Sequence, residues 1–335
     1  MGVKSEENLS EYAAKYRELR PRYEKLANEI HFAINEKLES ERIPIAPVTY
    51  RAKDVEKFLE KSVRKSYKDP LKETEDLAGV RVVCLYESDL QKVGEIIRSE
   101  FTVIKEEDKR DGLGTDKMGY QDKQFIVELG NGYSGPHYDG LHGLKCEIQV
   151  RTVLQDAWAI ISHHLEYKKD EDSIPEKLRR DFNSVASLLE IAQDVVENFR
   201  EKRGGYVGEL LQIGDSDMSS FLRLPVNYDT LEAYTRWKFP DFKFNMSLHA
   251  DLASTLERSK YKSLQDIDDI VMAAEKAVWE LCLEKPKDFK SGTNFLGASL
   301  FFVDKKFRGW FSRAYPDVDY FEKYKHLVKT KPAKK

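Results

Sequence analysis

Residues 145–168 read KCEIQVRTVLQDAWAIISHHLEYK, and this stretch decides the fold because it places a charged, alternating strand directly before a helix. Side chains alternate between the two faces of an extended strand, so Glu147, Gln149 and Arg151 share one face, while the isoleucine and valine between them share the other. An acid, an amide and a guanidinium are costly to bury unpaired. The pattern therefore predicts either a solvent-facing strand or a polar site that holds a cation and an anionic substrate. We expect the second alternative.

The composition is that of a globular protein with a highly charged surface. Of the 335 residues, 41% are hydrophobic and 34% are charged, and the formal net charge is -4. Acids and bases nearly balance, so binding of a nucleotide or a nucleic acid would depend on local clusters of cations and not on a global positive field. A single core usually stops growing below this length, which predicts two domains.

Signals for metal clusters, secretion and membrane insertion are missing from the sequence. The three cysteines, Cys84, Cys146 and Cys282, have neither the paired spacing of a zinc site nor that of a disulfide framework. No apolar run approaches the length of a membrane span, and the N-terminus lacks the hydrophobic core of a signal peptide. We expect a cytoplasmic protein without a membrane partner.

The segments before residue 145 alternate between helical and strand patterns. Apolar residues at three- and four-residue steps from Leu9 to about Glu41 predict one or two helices, with a break or restart at Pro21. An extended connection then leads into a helix predicted from Ala52 to Tyr67. Strand patterns follow in DLAGVRVVCLY (76–86), QFIVEL (124–129) and KCEIQVRT (145–152). Successive strands that are connected mostly by loops, with the helices at the ends of the segment, predict an α+β fold.

Two carboxylates stand at the starts of predicted strands, Asp76 and Glu147. Magnesium takes few protein carboxylates and completes its shell with water and substrate phosphates, so this pair is a candidate Mg²⁺ site. Cations that could hold the phosphates are also present, and guanidinium in particular matches phosphate bidentately; they are Arg51, Lys53, Lys61, Arg64, Arg81 and Arg151. Together these residues indicate phosphoryl or pyrophosphoryl transfer. Ordinary surface ion pairs are the alternative that the spacing leaves open.

The order of the motifs resembles the synthetase domain of the RelA/SpoT family of alarmone synthetases. DLAGVRVV is followed by a loop with GY, then by EIQVRT with Trp158 six residues later, and then by His163, Tyr167 and Lys168. The resemblance covers roughly residues 51–168. It implies a nucleotidyltransferase-like mixed β-sheet flanked by helices and an enzyme that moves the β,γ-pyrophosphate of ATP onto a ribose 3′-hydroxyl, releasing AMP.

The resemblance also implies roles for individual residues. Asp76 and Glu147 match the Mg²⁺-binding and catalytic acids of the family, and Glu147 could also help to deprotonate the attacking hydroxyl. The cations around ATP and its phosphates would be Arg51, Lys53, Lys61, Arg64 and Arg81. Tyr120 matches the tyrosine on which the acceptor base stacks. The acceptor side would further include Gln149, Arg151 and His163.

The acceptor loop departs from the family pattern. Where the family usually has GYRSxH, this chain has GYQDKQ, with Gln121, Asp122 and Gln124 at the changed positions. Loss of a cation and a hydroxyl should weaken binding of a phosphate-rich guanosine acceptor. GDP or GTP is the first expectation for the acceptor. The alternatives are a toxic synthetase that pyrophosphorylates the 3′ end of tRNA or adenosine nucleotides, and a non-catalytic nucleotide-sensing module.

The chain is expected to divide at RGGYVG into a synthetase domain with its flanking helices, 1–203, and a second domain, 204–335. Helical patterns and aromatic residues dominate the second domain, whose function the sequence does not reveal; regulation is one candidate. The segment before Arg51 is too short for the family's hydrolase domain, which favours the small, hydrolase-lacking kind of synthetase. Self-association into a homo-oligomer stays open.

Overall fold

The computed structural model describes residues 6–41, 43–108, 123–165, 176–286, 289, 291–308 and 320–329. The chain divides into two compact units, Met1–Asn198 and Phe199–Lys335. In the first unit the described helices are α1 (Glu6–Glu41), α2 (Val55–Arg64), α3 (Pro70–Glu73), α4 (Ser88–Glu100), α5 (Val153–Leu165) and the first part of α6 (Glu176–Ser216). The strands are β1 (Thr49–Ala52), β2 (Ala78–Cys84), β3 (Phe101–Asp108), β4 (Lys123–Leu129) and β5 (Cys146–Thr152).

The strands of the first unit form one five-stranded mixed sheet in the order β1-β2-β5-β4-β3. β2 and β5 run parallel, and the other neighbours run antiparallel. Both central strands bury every second side chain, as Val80 and Val82 of β2 and Ile148 and Val150 of β5 illustrate. This apolar face packs in one core with α1 and α4, and the opposite face carries the polar side chains. The predicted α+β fold with a mixed sheet is confirmed.

Helix α1 is one continuous helix of 36 residues, so the predicted break at Pro21 is wrong. A proline inside a helix removes one backbone hydrogen bond and costs about 3 kcal/mol. Buried side chains lie on both sides of this position, among them Tyr16, Leu26, Ile30 and Ile34, each fully excluded from solvent. Each contributes roughly 1.5 to 3 kcal/mol by burial, and together they outweigh the cost of the proline.

The predicted helix from Ala52 to Tyr67 begins too early. Residues Thr49–Ala52 form β1 instead, which pairs antiparallel with β2 so that Ala52 lies opposite Ala78. The helix begins only at Val55 and ends at Arg64. Lys53 therefore lies between a strand and a helix, next to the start of β2.

Helix α6 runs without interruption through RGGYVG to Ser216, so the domain division expected at this stretch falls inside a helix. Glycine costs about 1 kcal/mol relative to alanine in a helix interior. Val207 and Leu210, which follow the glycine pair Gly204 and Gly205, are buried in the core of the second unit and stabilise the helix through tertiary packing. The assignment of a synthetase domain to 1–203 and of a second domain of unknown function, with regulation as one candidate, to 204–335 stays a prediction.

The second unit is mostly helical, as predicted. Its further helices are α7 (Met218–Leu222), α8 (Tyr228–Lys238), α9 (Met246–Glu257), α10 (Leu264–Glu284) and α11 (Gly292–Val303), followed by the short helix Tyr320–Tyr324 and a 3₁₀ turn at Lys325–Leu327. Asn227, Ser263 and Ser291 cap α8, α10 and α11 by accepting a hydrogen bond from the backbone N–H three residues later. Within the described parts of the chain, no helix has both the length and the apolar character to cross a membrane.

Candidate active site

Asp76 lies between two lysines at the edge where β1 ends and β2 begins. Nζ of Lys53 donates a hydrogen bond of 2.5 Å to Oδ2 of Asp76, and Nζ of Lys61 lies 2.9 Å from Oδ1. The three side chains are only 11% to 23% exposed. Lys53 follows β1, Lys61 lies on α2 and Asp76 precedes β2 by two residues, so three separate elements build this cluster.

The electrostatic balance keeps Asp76 ionised. Burial alone would raise the pKa of its carboxyl, but hydrogen bonds and positive charge from Lys53 and then from Lys61 outweigh burial and hold this pKa below its ordinary value. The cluster therefore carries one negative and two positive charges at neutral pH. The surplus positive charge suits an anionic ligand such as a phosphate.

Helix α1 fixes the backbone beneath this cluster. The hydroxyl of Tyr16, a fully buried residue, donates a hydrogen bond of 2.7 Å to the carbonyl oxygen of Lys53 and lies 3.5 Å from that of Leu77. Burial raises the pKa of Tyr16, so the hydroxyl stays protonated and remains a donor. Nε of Arg20, one turn further along α1, donates to the same Lys53 carbonyl at 3.4 Å. One helix thus positions the residues that flank Asp76.

A second polar group runs along β5. Nε2 of Gln149 donates a hydrogen bond of 2.8 Å to Oε2 of Glu147, and Nη2 of Arg151 donates to Oε1 of Gln149. Asp156, in the first turn of α5, lies 3.5 Å from Nη1 of Arg151 and 3.3 Å from Nη1 of Arg81. The predicted shared face of Glu147, Gln149 and Arg151 is therefore a connected network of hydrogen bonds and ion pairs.

The register of the sheet places Arg51 on the same face as Glu147. Arg51 lies opposite Gly79, and Gly79 lies opposite Glu147 in the next strand. Residues opposite one another in neighbouring strands project from the same face. Gly79 adds no side chain between them, so this part of the sheet surface is open between a guanidinium and a carboxylate.

The structure brings most of the sequence-predicted residues into two groups, one around Asp76 and one along β5 that reaches Arg81. Arg64 is an exposed residue at the C-terminal end of α2. His163 lies on α5, but its side chain is outside the described residues, as is all of Tyr120. The assignments of base stacking to Tyr120 and of acceptor binding to His163 stay predictions.

The residues that could hold a metal ion are Asp76 and Glu147. Within the described ranges no group of three or more His, Cys, Asp and Glu side chains has the arrangement of a metal site. Magnesium needs only one or two carboxylates, however. Oδ1 of Asp76 is buried with Nζ of Lys61 2.9 Å away, and a carboxylate oxygen has a second lone pair with which it can bind a metal ion as well. The donor set fits a magnesium ion that is completed by water and phosphate.

Three residues of the site were missed from the sequence. Tyr16 and Arg20 lie more than 30 residues before Lys53 on a helix whose pattern indicates only a buried stripe. No local signal could have found them. Asp156 did carry a signal, because it is an acid in the first turn of a helix that directly follows β5, where it can face Arg151 of that strand and the arginine of the neighbouring strand.

Comparisons with known proteins show which proteins this chain is similar to. A family model described as the region found in RelA / SpoT proteins matches residues 50–172. GTP pyrophosphokinase YjbM of Bacillus subtilis is 36% identical over 172 residues, which cover 50% of this chain and 75% of YjbM. GTP pyrophosphokinase YwaC of the same organism is 28% identical over 152 residues, 43% of this chain and 69% of YwaC. The crystal structure of small alarmone synthetase 1 from Bacillus subtilis aligns with 56% of this chain and 97% of its own, at 26% identity and a TM-score of 0.47.

A mixed sheet with acids at the ends of its two parallel strands and cations around them, together with these relatives, defines the class: the protein is an enzyme of the pyrophosphokinase type. The chain belongs to the RelA/SpoT family. The predicted resemblance is therefore confirmed.

Proposed function

We propose that the protein transfers the β,γ-pyrophosphate of ATP to the 3′-hydroxyl of a guanosine nucleotide, GDP or GTP. The observation that supports this proposal most directly is the cluster of Lys53, Lys61 and Asp76, because it combines an ionised carboxylate with a surplus of positive charge in a mostly buried position. The relatives YjbM and YwaC are named GTP pyrophosphokinases.

In the reaction, the 3′-oxygen of the acceptor attacks the β-phosphorus of ATP. The bond between this phosphorus and the oxygen that bridges it to the α-phosphate breaks, and AMP leaves. Lys53, Lys61, Arg51 and Arg81 would hold the phosphate charge, with lysine acting as a point charge and arginine as a bidentate donor. The protein contributes mainly orientation and electrostatic stabilisation, as is usual for phosphoryl transfer.

Glu147 is the candidate base for the acceptor hydroxyl. Its carboxylate already accepts a hydrogen bond from Gln149, which fixes its orientation on β5. The proton of the 3′-hydroxyl would move to this carboxylate as the new bond to phosphorus forms. Arg151 reaches the same network through Gln149 and adds positive charge on the acceptor side.

Asp76 and Glu147 would hold Mg²⁺. The ion would neutralise phosphate charge during the transfer. Both residues offer the carboxylate oxygens that magnesium prefers, and the buried Oδ1 of Asp76 is a suitable ligand.

A second candidate acceptor is the 3′ end of tRNA, and the observation that favours it is the loop GYQDKQ. Gln121 and Asp122 stand where a cation and a hydroxyl are usual in the family, so binding of the guanosine phosphates loses donors. The chemistry at ATP is the same for both acceptors. Only the recognition of the acceptor differs.

The test uses the purified full chain with Mg²⁺ and ATP labelled at the γ-phosphate, offered GDP, GTP, ATP or tRNA as acceptor. We expect label in guanosine tetra- or pentaphosphate after thin-layer separation, and AMP in equal amount. Label in tRNA alone would show that the acceptor is tRNA and not a guanosine nucleotide. Label in none of the acceptors would refute pyrophosphate transfer.

The matched variants are Glu147→Gln and Glu95→Gln. Glu147→Gln should lower kcat by about 10² to 10⁴-fold, the usual contribution of a general base. Glu95 is an exposed residue of α4 that accepts a hydrogen bond from Gln91, and its variant should keep the wild-type rate. A full rate in Glu147→Gln would remove Glu147 from the mechanism.

A further inference from the structure

The second unit contains an open recess with a cationic rim. Its volume is about 470 Å³, which lies within the range of roughly 300 to 1,000 Å³ that is typical of small-molecule sites. Lysines and apolar residues from three parts of the unit line it: Lys260, Tyr261, Phe302, Val303, Phe321, Lys325, Val328 and Lys329. Among the described residues that line it, none is acidic.

The rim carries more positive charge than the neighbouring acids compensate. Nζ of Lys260 lies 3.1 Å from Oδ2 of Asp304, and Lys325 forms an ion pair with Glu322. Lys329 has no ion-pair partner among the residues that the structure describes. Three ammonium groups and two carboxylates leave a surplus of positive charge at the rim, which favours an anion in the recess.

The floor of the recess is apolar. Phe302 and Phe321 stack with their rings 6.4 Å apart and an interplanar angle of 27°, and Val303 and Val328 adjoin them. Phe302 is buried, whereas Phe321 and both valines are partly exposed to solvent. The guanidinium carbon of Arg308 lies 3.5 Å from the centre of the Phe321 ring and adds a further cation beside this apolar surface. Apolar surface next to several cations suits a ligand with an apolar body and a strongly anionic group.

Hydrogen bonds hold the recess in shape without a ligand. The hydroxyl of Tyr261 donates a hydrogen bond of 2.6 Å to Oδ2 of Asp304, which is only 7% exposed and caps the end of α11. The backbone N–H of Lys329 donates to the carbonyl oxygen of Ala273 at 2.9 Å and so ties this end of the chain to α10. A preformed site loses little conformational entropy when a ligand binds.

We propose that this recess binds a nucleotide, with the phosphates held by Lys260, Lys325 and Lys329 and the nucleoside over the apolar floor. Three ammonium groups bind a polyphosphate more favourably than they bind a ligand with a single carboxylate. Each ammonium group can make a separate contact with the multiply charged anion. The recess belongs to the second unit, so the proposal is independent of the transfer reaction assigned to the first unit.

The test is lysine acetylation of the wild-type full chain, followed residue by residue by mass spectrometry. GTP and ATP are the probes, and guanosine is the control without phosphate. We expect either nucleotide to slow the acetylation of Lys325 and Lys329 several-fold, while Lys305, an exposed lysine outside the recess, reacts at its usual rate. Guanosine should protect neither lysine.

A second measurement uses the double variant Lys325→Glu/Lys329→Glu and counts bound GTP per chain by equilibrium dialysis. We expect the wild-type chain to show a class of sites that the double variant binds about tenfold more weakly, a change of ~1.4 kcal/mol. The control variant Lys305→Glu should bind GTP at this class of sites with the wild-type affinity. Equal acetylation of Lys325 and Lys329 with and without both nucleotides, or equal protection by guanosine, would overturn the proposal. Pyrophosphate transfer by the same chain reports the first unit separately.

Discussion

Lys53 donates a hydrogen bond of 2.5 Å to Asp76, and this contact joins the end of β1 to the start of β2. The two residues are 23 positions apart in sequence, yet the antiparallel pairing of their strands brings them together. Because α2 adds Lys61 from the other side, the carboxylate lies between two ammonium groups. The same contact therefore supports the fold and prepares the site for phosphate.

Replacement of Lys53 by alanine should destabilise the first unit by about 1 to 3 kcal/mol at pH 7, because the variant leaves a mostly buried carboxylate with a single cation. The folded-state pKa of Asp76 is lowered, so its contribution to stability is fully present above the unfolded-state pKa and is lost as pH falls through the folded-state pKa. We expect the difference in free energy of unfolding between wild type and Lys53→Ala to shrink below about pH 4. Urea unfolding of both proteins at pH 7 and pH 3.5 measures this difference in free energy. If the difference is the same at both pH values, the result would contradict the role of the ion pair.

Removal of the Tyr16 hydroxyl tests how far α1 positions the site. Tyr16→Phe keeps the buried ring and deletes only the hydrogen bond to the Lys53 carbonyl, so it should cost ~1 kcal/mol of stability. We expect kcat to fall while the protein stays folded, because the backbone that carries Lys53 loses a fixed contact. Steady-state kinetics together with thermal unfolding measures both effects.

Tyr12→Phe is the matched control for this experiment. The Tyr12 hydroxyl makes only a long contact of 3.5 Å with the carbonyl oxygen of Lys68, and its loss should change neither rate nor stability appreciably. If both tyrosine variants behave alike, the Tyr16 hydrogen bond has no special part in positioning Lys53.

The polar face of β5 could be predicted from sequence because strand alternation is a local property. Glu147, Gln149 and Arg151 are two residues apart, and no information from the rest of the chain is needed to place them on one face. The convergence of Lys53 with Asp76 is different. It depends on the register of β1 against β2, which the sequence between them does not specify, so only the residue types could be predicted.

The helix break predicted at Pro21 and the division expected at RGGYVG have the same physical origin. Pro21 and the pair Gly204 and Gly205 are unfavourable in a helix interior, so a local pattern predicts an interruption at each position. In each helix, buried side chains near the unfavourable residues compensate through tertiary contacts, such as Tyr16 in α1 and Val207 in α6. Tertiary burial of this kind is not visible in a local pattern.

Asp156 should strengthen substrate binding by orienting two arginines, because it lies close to both Arg81 and Arg151. Asp156→Asn removes the negative charge and keeps the shape, so both guanidinium groups lose an ionic neighbour that orients them. We expect KM for the nucleotides to rise more than kcat falls, with a loss of stability of about 1 to 3 kcal/mol because Arg151 is only 5% exposed. Asp156→Glu, which restores the charge, should recover part of the affinity; a kcat effect without a change in KM would argue against a role in binding.

The continuity of α6 through Gly204 and Gly205 can be tested directly by substitution of these two glycines. At Gly204 and Gly205 no atom outside the adjoining residues and the backbone of the helix itself lies within 4 Å of the position that a Cβ would occupy. Both residues lie inside α6, so the double substitution Gly204→Ala/Gly205→Ala should stabilise the protein by about 0.5 to 1 kcal/mol per site, since alanine loses less backbone entropy in a helix. Gly292→Ala is the opposite control, because its Cβ would lie 3.0 Å from side-chain atoms of Phe239 and Thr235 and should destabilise the second unit. Thermal unfolding and the circular dichroism signal at 222 nm measure both variants, and destabilisation by the Gly204 and Gly205 substitutions would show that the chain is not helical at this position.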